Sequence, residues 1–164
     1  MLSCSRCIHR VLDCIVSKDF YESYIKLPGL EVPPEIQENT KLFPFFKDCL
    51  RAIDGTHIKV NPPAAECARY HNRKTGTSTN VLAACTFDMH FCYVLSGWEG
   101  SAADGLVFED ARKHTFTIPK GKYYLADAGF GTCDALLVPY CGVCYHLKEW
   151  AAVKDWYVLS LLIK

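Results

Sequence analysis

An excess of charge is the first thing this sequence lacks. Its 18 lysines and arginines are matched by 18 aspartates and glutamates, for a formal net charge of zero at pH 7. Proteins that grip nucleic acid unaided usually carry a basic surplus. The balance therefore argues against strong autonomous binding, while a local basic patch stays open. A long apolar run is also missing. The closing "WYVLSLLI" is far shorter than the roughly 20 residues that cross a bilayer, so no membrane attachment is expected. The opening "MLSCSRCIHRVLDCIV" has polar residues breaking its apolar stretch, unlike a secretory leader. Repeats, low-complexity tracts and a clear Lys/Arg-rich import signal are absent as well. These absences lead to the expectation of a soluble intracellular protein.

What is present fits one globular domain. The chain has 164 residues, half of them hydrophobic and 13% aromatic, enough to bury a sizeable core. The ten cysteines are scattered through apolar stretches such as "LAACTF" and "HFCYVL". Without a secretory leader, reduced core thiols are favoured over a disulfide framework. Two CxxC pairs, Cys4–Cys7 and Cys141–Cys144 with His146 nearby, have zinc-like spacing. They lie near opposite ends of the chain, which disfavours zinc.

Periodicity divides the chain. Ile8, Val11, Leu12, Ile15 and Val16 recur at helical spacing, which predicts an amphipathic helix over 5–17 and a second short helix over 19–25. Pro28, Pro33, Pro34 and Pro44 then punctuate a connector. From residue 49 the pattern is that of strands: 50–60, 80–87, 91–97 and 122–127, with a last one at 143–147. The second and third are joined by a tight turn starting at Asp88. Between 101 and 114 lies a helix, where Ser101 and Asp104 match a capping box. Three strands pair locally. The helix then carries the chain across, and the crossover rule sets the fourth strand parallel to the first and beside it.

In "LRAIDGTHIKV", alternation puts Asp54 on the same face as Leu50, Ala52, Ile58 and Val60. A carboxylate on a core-facing position is costly unless something compensates it. The topology makes Asp127, at the end of the fourth strand, its neighbour. Two carboxylates brought together either share a proton or hold a cation. Mg²⁺ and Mn²⁺ are hard ions that favour carboxylate oxygens, and a divalent cation is the expected partner of this pair.

The blocks "AIDGTHI", "NVLAACTFDMHF", "YVLSGWEGSAAD", "KYYLADAGF" and "PYCGVCYHLKEW" resemble, in order, those of the Harbinger-type (PIF-like) DDE transposase nucleases. The resemblance spans roughly residues 8–150. It implies an α/β, ribonuclease-H-like mixed sheet of about five strands with flanking helices, preceded by an N-terminal helical extension. It also implies DNA cleavage and joining that depends on a divalent metal cation. Asp54 matches the family's first catalytic, metal-holding aspartate and Asp127 the second. A separate DNA-binding partner protein and a nuclear location are implied too. The organisation expected is a helical segment with a proline-containing connector (1–48), an incomplete nuclease domain (49–150) and a divergent tail (151–164).

Departures from the pattern accompany the match. The family's third acid is a glutamate on a helix beyond the last block, and Glu149 does not match it. Ala103 stands where histidine is usual, and Cys141 and Cys144 stand where arginines are usual. Most of the helical DNA-binding region that precedes the nuclease in the family is not seen. A shortened copy is the expectation. Three readings follow: an active DNA nuclease or transposase, a non-catalytic metal-binding or interaction module, and an RNA-directed nuclease on the same fold.

The remaining polar residues have plainer roles. Asp104 is expected to cap its helix, with support of the metal ligands from behind as the lesser alternative, and Glu149 to sit at the surface or in a salt bridge, with completion of the metal shell as the lesser alternative. His57 and Lys59 belong to the solvent face of the first strand. His71, Arg73 and Lys74 form either a phosphate-contacting stretch or a solvated loop. Phe87, Tyr93, Trp98 and Tyr124 are read as core.

Overall fold

A computed structural model describes residues 4–73 and 76–140. The expected strand at 143–147, the second CxxC pair, His146, Glu149 and the 151–164 tail lie outside the described residues, as does Lys74.

Two helices come first, α1 (Cys4–Ile15) and α2 (Lys18–Tyr24). Ser17 caps α2, its hydroxyl accepting from the Phe20 amide, which satisfies a free donor at the helix start. The amphipathic pattern of α1 produces the helix but not a packed one: none of its residues is buried, and Ile8 is 61% exposed. Cys4, Cys7 and Cys14 are exposed along it, so the expectation of core thiols fails for these three. It holds for the free and buried Cys49 and Cys92. The connector is partly helical. Prolines at the starts of α3 (Pro34–Gln37) and α4 (Phe43–Phe46) sit where a missing N–H costs nothing.

The sheet has five strands in the order β3-β2-β1-β4-β5. β1 (Cys49–Lys59), β2 (Ser78–Cys85) and β3 (Phe91–Glu99) form an antiparallel meander. A four-residue helix, α5 (Cys67–Tyr70), lies between β1 and β2. The turn at 86–90 is closed by the Thr86 amide donating to the His90 carbonyl, with Met89 at φ 69. Helix α6 (Asp104–His114) leads from β3 to β4 (Tyr123–Leu125), which pairs parallel with β1 as the crossover rule required. β5 (Leu136–Leu137) extends the sheet parallel to β4. This two-residue strand is too short for periodicity to reveal. The result is an α/β mixed sheet with flanking helices, consistent with a ribonuclease-H-like fold.

One core holds helix and sheet together. Val107, Phe108 and Ala111 of α6 are buried against the sheet. Phe116, just past α6, stacks between Tyr93 of β3 and Tyr124 of β4, with ring centroids 4.5 and 4.9 Å away. Phe108 meets Phe130 edge to face, which anchors the loop after β4. Tyr93 and Tyr124 are thus core, as read from sequence. Phe87 and Trp98 are only partly buried.

Candidate functional site

The first half of β1 is buried on both faces, through Cys49, Leu50, Ala52 and Ile53. The second half is not: Asp54, Thr56, His57, Ile58 and Lys59 are exposed. The expected core-facing position of Asp54 is therefore corrected. β4 pairs with β1 only as far as Ala52↔Leu125, whereas β2 pairs with it as far as Lys59. Beyond Ala52 no described strand pairs with that flank of β1, and Ile58, on the face that alternation marks as apolar, is 52% exposed.

The same short strand brings the acids together. Asp54 lies two residues past Ala52, and Asp127 two residues past its partner Leu125. Asp127 lies just past the end of β4, near enough to Asp54 for its charge to act on that carboxyl. Each carboxylate is steadied by one backbone amide. Gly55 N–H donates to Asp54 Oδ1 and Gly129 N–H to Asp127 Oδ1, both at 2.8 Å. Their Oδ2 atoms have no hydrogen-bond partner among the described residues.

Electrostatics shows the crowding. The Asp54 carboxyl is raised above its ordinary value. Partial burial is the largest cause, although the side chain reaches solvent, and the Gly55 amide opposes it. The negative charges of Asp127 and then Asp104 raise it further. Two hard carboxylate groups that repel each other suit Mg²⁺ or Mn²⁺, which bind through one or two carboxylates and keep several waters. Among the described residues, no three His, Cys, Asp or Glu side chains are grouped to hold one ion.

Asp104 is not the expected capping-box partner. Ala103 is the N-cap of α6 and makes no side-chain cap, so Ser101 does not supply one. The Asp104 carboxylate instead accepts from Asn80 Nδ2 at 2.8 Å. Asn80 was missed in the sequence. Its signal was a lone amide opening the otherwise apolar "NVLAACTF", and it is 1% exposed. His57 is exposed as expected, with Nδ1 3.1 Å from Ser78 Oγ. Lys59 is exposed too. Asp88 lies within the hairpin turn, at the middle of 86–90 and not at its start. A hydrogen bond with the Thr86 side chain, then His90 at 3.0 Å, holds its carboxyl below the usual value. His71 and Arg73 are exposed in the loop before β2.

The family described as DDE superfamily endonuclease matches residues 53–155, a segment that includes both Asp54 and Asp127. Its members generally use divalent metals. A curated relative, Protein ALP1-like from Arabidopsis thaliana, is 29% identical over 127 residues, covering 66% of this chain and 31% of the relative. The chain thus spans about a third of that protein's length. No solved structure matches. On the family match, which covers most of the sheet and α6, the chain belongs to the DDE superfamily endonucleases.

Proposed function

We propose that this chain is a Harbinger-type nuclease domain that cleaves DNA phosphodiester bonds with a divalent cation held by Asp54 and Asp127. The single observation that supports it is the placement of the two aspartates beside each other, each two residues along the chain from the Ala52↔Leu125 pair and electrostatically coupled. A bound Mg²⁺ or Mn²⁺ supplies Lewis-acid and water-activating chemistry for phosphodiester cleavage. The chain's own part is to present two carboxylates at the open end of β4. Each has one oxygen fixed by a glycine amide, and among the described residues the other oxygen has no hydrogen-bond partner. DNA is the substrate class suggested by the family, and the neutral net charge fits a domain that relies on a separate DNA-binding partner protein. The family also suggests a nuclear setting. Among the described residues no helix is long and apolar enough to cross a membrane.

The test is nicking of plasmid DNA by the purified chain in Mg²⁺. Cleavage is expected, and is expected to vanish in Asp54→Ala and Asp127→Ala. No cleavage by protein shown separately to be folded counts against the nuclease. Running RNA and RNA–DNA hybrid beside DNA identifies the substrate strand.

One observation favours a second reading, a non-catalytic module that binds the cation weakly. The described residues supply a pair of acids and no third ligand grouped with them. Mn²⁺ binding by calorimetry without turnover supports this reading, and turnover removes it.

A further inference from the structure

Asn80 is a costly residue where it stands. It is 1% exposed within β2, and its side-chain carbonyl Oδ1 has no hydrogen-bond partner among the described residues. A buried polar atom left unpaired is unfavourable, and an apolar residue would avoid it. What an asparagine supplies here is its amide. Nδ2 donates to the Ala102 carbonyl at 3.0 Å and to Asp104 Oδ1 at 2.8 Å, tying the start of α6 to the sheet. The Asp104 carboxylate lies directly against Gly55, and a Cβ on Gly55 would overlap its Oδ1 and Cγ. Gly55 does not adopt positive φ, so glycine is needed there for space and not for backbone conformation. The Gly55 amide in turn donates to Asp54 Oδ1.

We propose that Asn80 and Asp104 are positioning residues for Asp54: Asn80 fixes the Asp104 carboxylate, Asp104 packs on the Gly55 backbone, and the Gly55 amide orients the Asp54 carboxylate. The inference rests on the reading of Asp54 as a cation-holding residue and deepens it. Neither residue touches the cation. They act as outer partners that orient the group which does, and such partners govern metal affinity by orientation. The connection joins three elements, β2, α6 and β1, at the edge where β4 ends.

The probe is Mn²⁺ alone, titrated by calorimetry into the full chain, with folding of every variant checked by circular dichroism. Asp104→Ala is expected to weaken Mn²⁺ about 10-fold, as loss of an outer partner does. Gly55→Ala reaches the same contact from β1 without shortening Asp104, and is expected to weaken binding by a similar factor. Asp104→Asn keeps an oxygen that accepts from Asn80, and should recover most of the affinity, to within about threefold of the parent. Wild-type affinity in both Asp104→Ala and Gly55→Ala overturns the proposal. So does an Asp104→Asn loss as deep as that of Asp104→Ala, because charge and not position would then be the contribution. If Asp54→Ala leaves Mn²⁺ binding intact, it is the reading of the centre itself that fails, an outcome separate from these.

Discussion

At the residue scale, Asp54 pays for its neighbours. Its carboxyl is raised chiefly by partial burial, with Asp127 and Asp104 adding repulsion. A raised acid binds its proton more tightly in the folded state, so ionising it lowers stability. The cost is absent below the ordinary value of 3.8, grows as pH rises through it, and is complete above the folded value. Without divalent cation, Asp54→Asn should therefore gain stability relative to the parent as pH rises from below 3.8 to neutral. Screening at this exposed carboxyl keeps the gain below about 1 kcal/mol. Urea unfolding across pH measures it, and an equal difference at every pH would contradict the account. The thiols show the opposite extreme. Burial pushes Cys49 up to about 12 and Cys92 up to about 11, whereas Cys4, Cys7 and Cys14 are exposed. The thiolate is the reactive form. Iodoacetamide at neutral pH should label the three α1 cysteines and leave Cys49 and Cys92 untouched until the protein unfolds, as read by peptide mass mapping.

At the scale of elements, α1 and α6 differ in kind although both were legible from spacing. Helix α6 buries Val107, Phe108 and Ala111 in the core, and Phe116 beyond it is 1% exposed among aromatic rings. Phe116→Ala should cost about 3–5 kcal/mol, the usual price of a large cavity in a packed core. That is a large part of a typical domain's stability, and denaturant unfolding will show it as a lower midpoint. Helix α1 buries nothing, and Ile15 is 50% exposed. Ile15→Ala should change stability by less than about 0.5 kcal/mol in the same assay. Periodicity marks an amphipathic helix but does not say whether its apolar face meets a partner. That depends on where the chain places it.

At the scale of the whole molecule, the candidate centre is a consequence of uneven strand lengths. β1 has eleven residues and β4 three, so β1 overhangs its parallel neighbour, and two acids lie where that pairing stops. A cation bound there stabilises the folded chain in proportion to its occupancy. Mn²⁺ at 100 times its Kd should add about 2.7 kcal/mol. Thermal unfolding with and without Mn²⁺ measures the gain. Asp127→Ala should abolish it, and a gain that survives in that variant would show binding elsewhere.

Although the short α3, α4, α5 and β5 escaped it, the sequence by itself determined the two N-terminal helices, the order β1-β2-β3-α6-β4, the β2–β3 hairpin and the parallel return of β4 beside β1. Each is written in local spacing or in a connection rule that sterics enforce. It also carried the family resemblance, through short blocks in a set order. Tertiary structure decided the rest. Alternation placed Asp54 inward, but whether a face is inside depends on what packs on it, and Asp54 is exposed in the folded chain. Ser101 and Asp104 have capping-box spacing, yet Asp104 turned to the Asn80 amide, a partner on another element that no local pattern contains. Hydrogen bonds between distant segments, and the point at which a neighbouring strand stops, are properties of the assembled sheet. For that reason the relay from Asn80 to Asp54 became visible only after folding.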